Sequence, residues 1–215
     1  MSVDVQNLSA KALEVQIIPP PAPLDATVLR QLFVDLAKYH LEVFNTTPDG
    51  GAVFSNPGQQ RRVVITPANR QVSLPVEVDA ARSLSEAVDI LSLIHTRVQV
   101  STYVASGFVL AAHLPVGGES AATLLSRKAF PDQEPFAALG PGVQGIGLRV
   151  YMTATGPFTF SVEPLLADTS KIVVHLQQVQ PGNFMLSDLR GRCEATLRFY
   201  ENQLTNFLQQ LLSGE

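Results

Sequence analysis

Gly140-Pro141-Gly142-Val143-Gln144-Gly145 matches G-x-G-x-x-G, the spacing that lets a backbone turn approach a pyrophosphate. That chemistry needs a strand before the glycines and a helix N-terminus after them, where free N–H groups meet the anion. Here a Pro/Gly-rich loop, Phe130 to Gly142, precedes the motif, and GIGLRVYM follows with strand alternation. The stretch reads as a flexible lead into a strand. No dinucleotide is expected there, and no cofactor is assigned to the chain. G-x-x-x-x-G-K-[ST] does not occur.

His40, His95, His113 and His175 lie too far apart in sequence to form H-x-x-x-H or H-E-x-x-H, so no metal site is assigned. There is no G-x-S-x-G, and Ser106-Gly107 lacks the preceding glycine. Cys193 falls on an apolar helix face and reads as a small core residue rather than a thiolate. Glu163 and Asp168 bracket a turn and are explained by solvation there. Arg61, Arg62 and Arg70 gather near one hairpin, and Arg190, Arg192 and Arg198 on the first turns of the last helix. Lysine is confined to Lys11, Lys38, Lys128 and Lys171, too few for a groove that tracks phosphates. All these arginines read as solvated surface charge, and nucleic acid is not an expected partner. No residue is assigned as catalytic.

The elements that hold these residues follow from periodicity and turn signals. ALEVQII (12–18) reads as a strand stopped by Pro19, Pro20, Pro21 and Pro23. Asp25 caps a helix of about residues 26–40 whose inner face is Leu29, Leu32, Phe33, Leu36 and His40. LEVFNTT, GAVFSN and RRVVITPANRQVSL then form an antiparallel meander, with turns at Pro48–Gly51, Asn56–Gly58 and Pro67–Arg70. Ser83 and Glu86 read as a capping box opening a helix that runs to about residue 96. The second half repeats the order. VSTYVASGFVLAAHL ends at Pro115, a short helix starts at Glu119 or Ser120, and GIGLRVYMTA, FTFSVEPLL and KIVVHLQQV follow. A long helix closes the chain over about residues 187–212, its inner face Leu189, Cys193, Leu197, Tyr200, Leu204, Phe207 and Leu211.

Each half therefore reads β-α-β-β-β-α, which suggests pseudo-repeats at residues 12–96 and 98–212 within one compact domain, 1–215. The expected fold is α+β: an antiparallel sheet of six to eight strands, helices on one face, and a long C-terminal helix. Composition sets the class. The chain has 215 residues, 46% hydrophobic and 16% charged, with a net charge of −4. Disorder is not expected, and the acidic balance argues against general nucleic-acid binding. One cysteine excludes an intrachain disulfide. MSVDVQNLSAK lacks a basic start followed by an apolar run, and the most apolar stretch, Tyr103 to Leu114, is too short to span a bilayer. A cytoplasmic protein without a membrane partner is expected.

LEVQIIPPPAP, VFSNPGQQRRVVITPANRQVSL, GIGLRVYMTA and CEATLRFYENQLTNFLQQL resemble a sporadically distributed family of uncharacterised prokaryotic proteins. Members share a first strand ending in proline, a middle hairpin and a later G-L-R-Y strand. In this chain Gly147-Leu148-Arg149 is followed by Val150, with Tyr151 one place late. The resemblance implies a stand-alone soluble domain of this size and no reaction, cofactor or catalytic residue.

Low charge and a mean hydropathy of +0.16 favour a non-enzymatic binding or assembly module that forms homo-oligomers. Segments such as Ile172–Leu176 are expected at sheet edges or exposed faces. A binder of a small apolar ligand, held between the sheet and the last helix, is the alternative. A hydrolase or transferase with scattered residues is a third. A protein or small-molecule ligand fits any of these readings.

Overall fold

A computed structural model describes residues 3–132, 136, 143, 145–153 and 157–213. Nine strands form an antiparallel sheet in the order β2-β3-β4-β5-β1-β6-β9-β8-β7. They are β1 (Ser9–Ile18), β2 (Val43–Thr46), β3 (Ala52–Asn56), β4 (Arg61–Thr66), β5 (Asn69–Pro75), β6 (Tyr103–Pro115), β7 (Leu148–Met152), β8 (Phe158–Pro164) and β9 (Lys171–Phe184). The helices are α1 (Ala26–Leu36), α2 (Ala80–Val98) and α3 (Ala121–Ala129), then a long run of α4 (Leu186–Arg198), a π-helical segment (Phe199–Leu204) and α5 (Thr205–Ser213). The protein is therefore α+β with a long C-terminal helix. In the first half α1 is followed by four strands, in the second α3 by three.

The chain divides into two compact units. One holds Met1–Lys11, Ala111–Gln177 and Arg198–Glu215, the other Ala12–Leu110 and Gln178–Leu197.

In the Ala12–Leu110 unit, strand alternation puts Leu13, Val15, Ile17, Phe54, Val63, Ile65, Val72 and Leu74 on one buried face. Helices α1 and α2 bury Leu29, Leu32, Leu36, Leu84, Ile90, Leu91 and Ile94. The opposite sheet face is polar and bonded to itself: Glu14 Oε2 accepts from Ser73 Oγ at 2.9 Å and Gln71 Nε2 at 2.6 Å, and Gln16 donates to Asn69 at 2.9 Å. Only one face needs a helical cover because side chains satisfy the other. Asp25 caps α1 as its position suggests, accepting from the Thr27 and Val28 N–H groups. The α-helix ends at Leu36. A 3-10 turn, Ala37–Tyr39, follows, and His40 adopts φ 59°, so the chain leaves the helix there.

In the other unit, Phe158, Phe160 and Val162 of β8 and Ile172, Val174 and Leu176 of β9 are buried with Leu124 and Leu125 of α3 and Leu204, Leu208 and Leu212 of the last helix. Phe199 and Phe207 meet Phe160 at centroid distances of 6.4 and 5.3 Å. Two expectations change here. Ile172–Leu176 is not a sheet edge: β9 lies between β6 and β8, and the edges are β2 and β7. The inner face of the last helix also shifts, from Phe207 and Leu211 to Leu208 and Leu212. The cause is the π-helical segment, whose wider turn inserts one residue into the phase. Thr205 Oγ1 donates to the Tyr200 carbonyl five residues back, at 3.0 Å.

Candidate functional site

The clearest concave polar site forms where β4 and α2 begin. Arg61 opens β4 on the same side as Val63 and Ile65, so its stem is buried on the core face. Strand β5 ends at Pro75, and a short turn carries Glu77 and Val78. Asp79 then caps α2, accepting from the Arg82 N–H at 2.7 Å. The helix therefore starts at Ala80, earlier than a capping box at Ser83 and Glu86 would place it. Asp79 meets the free N–H groups one turn sooner.

That shift gives Ser83 and Glu86 other partners. Ser83 Oγ donates to the Pro75 carbonyl at 3.2 Å. Glu86 accepts a close ion pair from Arg61 Nη1. Glu77 stands 4.0 Å from Arg61 Nη2, with its side chain 67% exposed. Arg61 Nε is buried and has no hydrogen-bond partner among the described residues. Arg82 is exposed, and its guanidinium has no polar side-chain partner among the described residues. The groups enclose a cavity of about 120 Å³. A guanidinium offers five N–H donors in a planar fork and keeps its charge, so this one is only partly matched. The arrangement suits recognition of a planar oxyanion.

Three further polar clusters lie elsewhere in the fold. In the first, the Arg192 guanidinium carbon lies 4.3 Å from the Phe184 ring centroid, and Nη1 donates to Ser106 Oγ at 3.4 Å and the Gln180 carbonyl at 3.3 Å. Thr196 donates closely to Gln178, which also accepts from Gln180 at 2.7 Å. The space these groups line, beside Cys193, has a volume of about 0 Å³. It is a packed, satisfied network with no room for a ligand. Burial pushes the Cys193 thiol up to about 12, so it stays protonated and inert.

In the second cluster, His95 Nδ1 shares a hydrogen bond of 2.9 Å with Tyr103 Oη. Burial raises the Tyr103 hydroxyl to about 12, opposed by the charge of Arg70. Arg70 is itself buried and donates to the Thr66 and Asn69 carbonyls. In the third, His113 of β6 shares its surroundings with Lys11, Lys171, His175 and Asp168. Burial first, then these cations, holds it below its ordinary value. Asp168 is drawn down to about 2 by hydrogen bonds from Lys171 and Ser170.

Of the motif at Gly140–Gly145, only Val143 and Gly145 fall within the described residues; Gly140, Pro141, Gly142 and Gln144 lie outside them. Strand β7 follows, as the alternation indicates. Gly145 is exposed, yet a Cβ there would meet Pro164 Cγ at 2.8 Å and Ala122 Cβ at 3.1 Å, so no larger residue fits without a shift. Among the described residues, no three His, Cys, Asp or Glu side chains gather as metal ligands. Glu163 pairs loosely with Arg149 at 3.6 Å, and Asp168 organises the turn at Lys171. Arg190 meets Asp89 at 3.8 Å. Arg61 and Arg70 overturn the reading of this group as solvated surface charge. Both lie on the buried face of the β4–β5 hairpin, Arg61 held by Glu86 and Arg70 by backbone carbonyls. The strand alternation Arg61, Val63, Ile65 and Arg70, Val72, Leu74 carried the signal.

No family model matches the chain, and no curated protein matches it. Among solved structures, E. coli aspartokinase III in complex with aspartate and ADP (R-state) is similar at a TM-score of 0.20 and 10% sequence identity. The alignment covers 89% of this chain and 32% of the aspartokinase, so the chain spans about a third of that protein's length. At that score the likeness carries neither fold nor function across. Among the described residues, no helix is long and apolar enough to cross a membrane.

Proposed function

We propose that the protein is a cytoplasmic, non-enzymatic binding and assembly module that pairs with a second copy of itself through strand β7. One observation carries the reading: β7 ends the sheet order, with Tyr151 72% exposed and Met152 beside it. An edge strand offers a row of backbone donors and acceptors to another chain. Its sequence is self-complementary. Antiparallel pairing centred on Val150 sets Leu148 against Met152 and Arg149 against Tyr151 of the second copy. Those are an apolar pair and a cation–aromatic pair, with no like charges opposed. The absence of space beside Cys193 favours this over an apolar-ligand binder with its cavity against that part of the last helix.

Native mass spectrometry at micromolar concentration tests it and reports any co-purified small molecule as well. A dimer or larger assembly is expected. Tyr151→Lys sets a cation opposite Arg149 of the second copy twice per pair, so the assembly should weaken while the melting temperature of the monomer holds. A monomeric parent protein, or an assembly indifferent to Tyr151→Lys, overturns the reading.

A further inference from the structure

We infer that the Arg61 cleft is a binding site for a small carboxylate, which enters by displacing Glu77. The inference goes beyond self-association and stands independently of it. The floor of the site is built: Arg61 is nine-tenths buried, and Glu86 fixes one arm of its guanidinium. The other arm faces Glu77 at 4.0 Å, too far for a hydrogen bond, and Nε has no partner among the described residues. A buried donor left unpaired weakens the native state until something accepts from it.

Glu77 shows which chemistry suits the vacant donors, since it brings a carboxylate toward them from an exposed turn without closing the contact. Its release leaves Arg61 and Arg82 facing Glu86 alone, so the cleft gains a net positive charge just as an anion arrives. The cavity of about 120 Å³ is roomy enough for a carboxylate on a short stem. Pro75 and Val78 supply an apolar wall for the stem. A carboxylate lies flat against the guanidinium fork and takes two parallel hydrogen bonds. The same headgroup is carried by a free short-chain acid and by a peptide C-terminus.

The Arg61 Nε–H signal in the NMR spectrum of the full chain reads the site directly. It is assigned by its loss in Arg61→Lys or, should that variant not fold, by its shift in Glu86→Gln. Titration with propionate, with chloride holding ionic strength constant, should move it along a saturable curve. Glu77→Gln should tighten propionate binding about two- to fivefold, the range expected for removing an exposed competing ion pair. Arg82→Gln, at an exposed position, should weaken it. Acetyl-dialanine and its C-terminal amide separate the sources. Tighter binding of the acid than of propionate, with the amide silent, identifies a peptide C-terminus; equal binding of acid and propionate identifies a free acid. A shift without saturation overturns the inference. So do saturation by inorganic phosphate but not propionate, an equal response to the amide, and unchanged affinity in Glu77→Gln. A monomer that still binds propionate leaves this inference standing and removes only the self-association.

Discussion

His113 is half-buried on β6 among three other basic side chains, and both burial and those charges favour its neutral form. Its protonation in the folded state therefore falls below the ordinary histidine value of 6.5. The unfolded chain binds that proton more readily. Stability should rise as pH climbs toward 6.5 and level off above it, and should fall again as pH drops below 6.5 toward the lowered folded value. The His113 Cε1–H resonance should titrate below 6.5, and Lys171→Gln should move it upward. A midpoint at or above 6.5 would sink this account. Little of this was legible in the sequence, where His113 and His175 are 62 positions apart and only strand pairing makes them neighbours. Cys193 was legible, because helical spacing alone put it on an apolar face. The burial of Arg61 and Arg70 is written in strand parity, in phase with Val63, Ile65, Val72 and Leu74, while their charge points the other way.

At the scale of elements, the last helix shows what spacing can and cannot give. A strict helical repeat from Leu189 finds Leu197, Tyr200 and Leu204, all buried. Beyond them it points to Phe207 and Leu211, because no residue type announces a π-helical turn. The phase is testable by truncation. Leu204→Ala and Leu208→Ala should each cost about 2–5 kcal/mol, the range for emptying a packed leucine site. Leu211→Ala, at a half-covered position, should cost much less. Urea midpoints would decide, and equal losses at Leu208 and Leu211 would reject the phase shift. The start of α2 is ambiguous in sequence for a related reason. Asp79 and Ser83 are both good caps, and sequence cannot rank them without knowing that Ser83 bonds the Pro75 carbonyl and Glu86 bonds Arg61.

For the whole molecule, fold class was readable because it rests on elements, their order and their one-sided faces. The meander β2–β5 follows its turn signals, and Pro67-Ala68 divides one long β segment into β4 and β5. Strand neighbours were not readable. Placing β1 between β5 and β6 requires the whole sheet, and so does moving the edges to β2 and β7.

The division of the chain into interleaved units has a consequence for its synthesis. The polypeptide passes from one unit to the other after Lys11, Leu110, Gln177 and Leu197, each time inside a strand or the last helix. No nascent chain shorter than residue 197 holds all of the Ala12–Leu110 unit, since Gln178–Leu197 belongs to it. The other unit waits for Arg198 onward. Domains made of one continuous stretch can fold in turn as they leave the ribosome. Here each unit draws on a segment made after Gln177, so neither is complete until Gln178–Leu197 or Arg198 onward has been made. A chain ended at Gln177 should accordingly show little amide protection in hydrogen exchange, in β1–β5 as well as in β8 and β9. Strong protection confined to β2–β5 would mean that the meander folds ahead of its closing segment. Until those segments arrive, the apolar strands of the growing chain lack part of their cover, which makes it a client for chaperones that hold nascent polypeptides.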